Sequence, residues 1–180
     1  MADVMIAGAG MTRFGKTPGL GIRALATEAA AAALQDAGLD ADQVERIYFG
    51  NAAGATVGRQ DMVRGQVAFR HDPLSAAPIL NVENACASGG SAFLLAQEAV
   101  RSGIAEVVLA VGAEQLSHVD RGRSVQALRG SMDITEIGEV EAGPGGAATL
   151  MQAYAGAGRD LIAATECTGR GFARVVVKNR

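Results

Sequence analysis

The sequence predicts an α/β protein, a mostly parallel sheet with helices packed tightly against it. Three observations carry that expectation. Short apolar runs alternate with longer helix-like runs from Asp3 to Ala113, the order that a parallel sheet and its crossover helices require. The chain holds 24 glycines and no tryptophan, with aromatics at only 4%, so its core must be built from Val, Ile, Leu and Ala at close backbone distances. The run Cys86–Gly103 is apolar on most faces in its first half, as in a helix buried between layers.

Taken in order, "DVMIAGAG" (3–10) reads as a short buried strand ended by glycines, and "IRALATEAAAAALQDAGL" as an alanine-rich helix stopped at Gly38. A polar turn leads to a strand over Arg46–Phe49 and a Gly/Ala loop, "GNAAGA". "RQDMVRGQVAFR" has helical spacing and stops at "HDPLSAAP"; a third strand is expected in "ILNVE", then the Cys86–Gly103 helix, then a fourth strand in "AEVVLAVGA". From Glu114 to Gly143 the pattern loosens into a surface excursion of mixed charge, after which "GPGGAATLMQAYAGAG" restores a helix. The tail "TECTGRGFARVVVKNR" is ambiguous, since Val175–Val177 favours a strand in a setting that accepts a helix. Crossovers in such a sheet are right-handed, and ligands gather at the carboxyl ends of its strands.

The bulk numbers exclude several classes. With 49% hydrophobic and 19% charged residues the chain can bury a core, and a formal net charge of -3 gives no nucleic-acid or anionic-membrane footprint. No apolar run approaches the ~18 residues of a membrane span, and Met1 opens no signal peptide, so a cytoplasmic location is expected. Cys86 and Cys167 are too few for a disulfide framework and are expected as free thiols.

Three groups of residues invite a chemical reading. In "GAGMTRFG", Gly8 and Gly10 are followed by Arg13 where a dinucleotide fingerprint needs its third glycine, so a plain tight turn is the better reading. His71 and His118 lack metal-ligand spacing and read as solvated loop residues, which leaves no metal site expected. Cys86 differs. At a helix start, unpaired N–H groups and the macrodipole favour a thiolate, and the same donors can hold an oxyanion; Ser88, Gly89 and Gly90 leave room for an attached acyl group. From local chemistry alone, a buried structural cysteine fits this position equally well. Cys167, in a glycine-rich tail, reads as an ordinary thiol.

Six stretches in order, "IAGAGMTRFGK", "FGNAAGA", "GRQDMVRGQVAF", "NACASGGSAF", "AEVVLAVGAEQLS" and "FARVVVKNR", resemble the amino-terminal half of a thiolase, of the sterol-carrier-protein type and related acetyl-CoA acetyltransferases. The resemblance implies a layered α/β/α fold, incomplete for the family, with residues 1–114 as the amino-terminal α/β domain and 115–180 as a loop excursion and helical tail. It implies Cys86 as the acyl-carrying nucleophile, with its backbone N–H in an oxyanion hole. It also implies a coenzyme A thioester as substrate, no covalently bound cofactor, and pairing of "ILNVE" across a dimer axis, hence a homodimer or larger species. The resemblance implies that the family's general-base histidine, second reactive cysteine and second layered domain lie in a carboxy-terminal half that these 180 residues lack, which a separate chain could supply, and that the last strand of the first domain normally comes after the point where the sequence stops. His71, His118 and Cys167 sit in no matching motif. Glu83 stands where many thiolases carry asparagine, which bears on substrate class.

The expected function is therefore a thiolase-type acyl-CoA C-acyltransferase with an incomplete catalytic set. Two rivals stand beside it: a decarboxylating condensing enzyme of the ketoacyl synthase class, against which "GMTRFGK" argues, and a non-catalytic thiolase-like subunit that needs a partner.

Overall fold

The computed structural model describes residues 3–13, 15, 19–133, 135 and 150–179. The chain divides into two compact units, residues 1–127 and 128–180.

In the first unit, β1 (Arg46–Gly50) is central, with β2 (Ile79–Val82) on one side and β3 (Val108–Gly112) on the other, both parallel to it. Gly50 is level with Val82 and Gly112, so the three carboxyl ends finish together. α1 (Ile22–Ala37) and α3 (Arg64–Phe69) cover one face, where Ala26, Ala30, Ala68 and Phe69 meet Ile47, Phe49 and Val111. Phe49 and Phe69 pack edge to face at 6.1 Å between ring centroids. α4 (Ser88–Arg101) covers the other face, setting Ala92, Ala96 and Ala99 on Tyr48, Val82, Val108 and Ala110. The result is the α/β/α layering with a parallel sheet, and its helices meet the sheet mainly through alanine, as the composition requires.

Local signals explain the element ends. α1 stops where Gly38 takes the left-handed conformation (φ 66°) and Leu39 N–H reaches back to the Leu34 carbonyl. A short helix, α2 (Gly54–Gly58), occupies part of the expected Gly/Ala loop, and α3 is shorter than its sequence pattern. α5 (Arg121–Arg129) gives the expected irregular excursion a helix of its own, and within the first unit Arg123 donates to the Val57 carbonyl.

Residues 3–10 are not a strand, contrary to expectation. They lie along α1, so closely that a Cβ at Gly8 would sit 2.5 Å from the Ala33 carbonyl oxygen, and Ala9 N–H donates to Asp36. Gly8 and Gly10 are thus close-approach glycines, needed for packing on a helix. A strand forms only against a paired edge. Here a cavity of about 720 Å³ separates residues 3–10 from β3, with α1 on one side and α4 on the other.

In the second unit, α6 (Leu150–Ala164) realises the helix expected after the excursion; its expected beginning, residues 143–149, lies outside the described residues, as do 136–142 of the excursion. α7 (Gly169–Lys178) resolves the ambiguous tail as helix, started by the Thr168 hydroxyl accepting from Gly171 N–H. The β-branched run costs only tenths of a kcal/mol per residue in a helix, a preference that a good cap offsets. No helix among the described residues is long and apolar enough to cross a membrane.

Candidate functional site

β2 delivers the chain to the carboxyl end of the sheet at Val82, and Glu83 and Asn84 lead into a 3₁₀ turn, Ala85–Ala87, that runs directly into α4. Cys86 sits in this turn, exposed, two residues ahead of α4 rather than as its first residue. The approach of α4 to the sheet depends on Gly50, with Gly112 in ordinary contact beside it. A Cβ at Gly50 would stand 2.6 Å from the Ser88 carbonyl oxygen, and one at Gly112 would stand 3.4 Å from Gly89 Cα. A side chain at Gly50 would push the start of α4 off the sheet and carry Cys86 with it, whereas at Gly112 a methyl group would only reach ordinary contact.

The first turn of α4 has no side-chain cap and no acidic residue. Its leading N–H groups therefore have no side-chain acceptor, and the positive end of the helix dipole faces the Cys86 turn, where the Ser88 N–H goes to the Ala85 carbonyl and Glu83 accepts from Ala85 N–H. Gly90 has no atom within 4 Å of where a Cβ would stand, and Ala87 and Gly89 are exposed, so an incoming group has an open path to the thiol. Chemically this is a small-residue shelf at an uncapped helix start beside an accessible nucleophile.

A second cluster, which sequence reasoning gave no role, locks the neighbouring strand ends. Asn51, 3% exposed, donates through Nδ2 to the Ala113 carbonyl (2.8 Å) and to Glu114 Oε1 (3.0 Å), and its Oδ1 accepts from Gly54 N–H. Glu114 Oε2 accepts from Ala52 and Ala53 N–H at 2.8 and 2.9 Å, while Arg64 donates to the Asn51 carbonyl. Asn81 accepts from Gly65 N–H and ties β2 to α3. The only signal available in the sequence was an Asn directly after one strand and a Glu directly after another.

The remaining candidates have settings of their own. His71 is exposed in the turn ahead of β2, at the amino end of the sheet. His118 accepts from Asp120 N–H at 3.0 Å and lies 3.5 Å from an Arg123 nitrogen. Cys167 belongs to the second unit, where its N–H donates to the Thr165 hydroxyl. Among the described residues no His, Cys, Asp or Glu cluster could hold a metal ion, and Cys86 makes no side-chain hydrogen bond.

Residues 4–153 match the thiolase N-terminal domain. The chain belongs to the thiolase family. An acetyl-CoA acetyltransferase of Methanothermobacter thermautotrophicus is 34% identical to this thiolase-family chain over 119 residues, 66% of the chain and 31% of that protein. Sterol carrier protein 2 of Gallus gallus is 32% identical over 180 residues, covering 98% of the chain and 32% of its own length. The chain thus spans about a third of these relatives. Among solved structures, 3-oxoacyl-[acyl-carrier-protein] synthase III of Aquifex aeolicus shares the fold, with a TM-score of 0.51 over 60% of this chain and 34% of that one, at 22% identity.

Proposed function

We propose that this chain is the nucleophile-bearing part of a thiolase-type acyl-CoA C-acyltransferase, with Cys86 as the residue that carries the acyl group. The supporting observation is the turn itself: an exposed thiol directly ahead of a helix whose first turn is glycine-rich and free of side-chain caps. In the proposed step the Cys86 thiolate attacks the thioester carbonyl carbon of an acyl-CoA. The carbonyl oxygen takes the negative charge toward backbone N–H groups at the start of α4, the bond from carbon to the CoA sulfur breaks, and CoA leaves as a thiolate that takes up a proton. The acyl group then passes from Cys86 to CoA or to a carbanion. The substrate is a coenzyme A thioester, the working assembly a homodimer or larger, and the location cytoplasmic.

The test compares the two thiols. In the folded chain at neutral pH, iodoacetamide is expected to label Cys86 several-fold faster than Cys167, because Cys86 is exposed ahead of an uncapped helix whereas Cys167 is half-buried ahead of a helix whose start Thr168 caps. Peptide mass spectrometry reads the ratio, and equal or faster labelling of Cys167 contradicts the proposal.

A further inference from the structure

The turn that presents Cys86 is held in an unfavourable shape. Ala85 has φ 45°, a left-handed conformation that an alanine's Cβ disfavours. Three hydrogen bonds surround this position. The Glu83 carboxylate accepts from Ala85 N–H at 2.7 Å. The Ser88 hydroxyl accepts from Asn84 N–H at 2.9 Å and donates to the Ala85 carbonyl at 2.8 Å. Glu83 and Asn84 are exposed, whereas Ser88 is only 5% exposed, wedged where α4 meets Gly50. A buried hydroxyl with a fixed donor and a fixed acceptor has little freedom to rearrange, and removing it takes the partner from Asn84 N–H and leaves the Ala85 carbonyl only the Ser88 N–H.

We propose that Ser88 is the positioning residue of the Cys86 turn: its hydroxyl clamps Asn84 and Ala85 so that the backbone turns through Ala85 and sets the thiol at the start of α4. Ser88 reaches no substrate; it acts through the backbone on either side of Cys86. The proposal rests on the reading of Cys86 as the nucleophile and adds what holds it in place. It also predicts how the clamp can be replaced. Glycine adopts positive φ without steric cost, so a glycine at position 85 supplies the conformation that the hydroxyl otherwise enforces.

The experiment measures the iodoacetamide rate at Cys86 relative to Cys167 in the same chain, with circular dichroism confirming the fold of each variant. Ser88→Ala is expected to lower the ratio about tenfold, the scale of one or two lost hydrogen bonds. In the double variant Ser88→Ala with Ala85→Gly, which also relieves the strained alanine if the single variant folds poorly, most of the ratio returns. A serine that only stabilises the fold leaves the ratio unchanged in a variant that circular dichroism shows to be folded. An unchanged ratio in Ser88→Ala, or a double variant that stays slow, overturns the positioning role while leaving the nucleophile intact. A wild-type Cys86 no faster than Cys167 overturns the nucleophile reading and the positioning role with it.

Discussion

Given acetoacetyl-CoA and CoA, the purified 180-residue chain is expected to run thiolysis about 10² to 10⁴ times more slowly than a typical enzyme working at 1–10³ per second. Thiolysis needs a proton removed from one thiol and delivered to a leaving group, and a positioned base is worth about that factor. The described residues set no basic side chain on Cys86. His71 lies at the opposite end of the sheet, ahead of Ile79, and His118 is engaged with Asp120 and Arg123. Glu114 and Asn51 sit at the correct end, but their hydrogen bonds go to each other and to strand-end backbone. On the proposed reading, the shelf and the thiol by themselves are expected to accept an acyl group slowly and not to turn it over. A coupled assay of CoA consumption settles it, and turnover at ordinary enzyme rates contradicts the account.

The second large effect concerns assembly. Glu45 N–H donates to the Val107 carbonyl and Ala113 N–H to the Gly50 carbonyl, so residues 107, 109, 111 and 113 face β1. The N–H and C=O groups of Val108, Ala110 and Gly112 therefore point outward, with no partner strand among the described residues. Beside them runs the cavity that separates β3 from residues 3–10. Met5 and Ile6, expected inside, are 82% and 73% exposed, and Phe93 and Leu94 on the outer face of α4 are about half exposed. Open edges recruit strands, and contiguous apolar surface recruits partners. The chain is expected to form dimers or larger species at micromolar concentration and to bind an apolar-surface dye strongly. Light scattering with dye titration checks this; a monodisperse, heat-stable monomer with little dye binding contradicts it.

The sequence made the layers legible and left the contacts between them unread. Alternating apolar runs located Arg46–Gly50, Ile79–Val82 and Val108–Gly112, and Gly38 marked the end of α1, because these signals are local. The 3–10 run carried the same apolar signal and still forms no strand, since pairing depends on what lies alongside it. α5 was missed because a nine-residue polar helix has little apolar period to detect. At the site, Cys86 was visible through its flanking small residues. Ser88 was seen only as a space-maker, because which way a hydroxyl turns is fixed by burial. Gly50 and Gly112 lie 38 and 23 residues from Ser88 and Gly89, which they meet only in space, and no local pattern joins them.

The central claim is that Cys86 carries the acyl group, and direct mapping of the acyl thioester tests it. The folded chain is incubated with acetyl-CoA, quenched in acid, digested and read by mass spectrometry, with and without hydroxylamine, which cleaves thioesters. The account predicts a hydroxylamine-labile acetyl group on the peptide containing Cys86, absent in Cys86→Ala and absent from Cys167. An acetyl group on Cys167, or labelling that persists in Cys86→Ala, contradicts it.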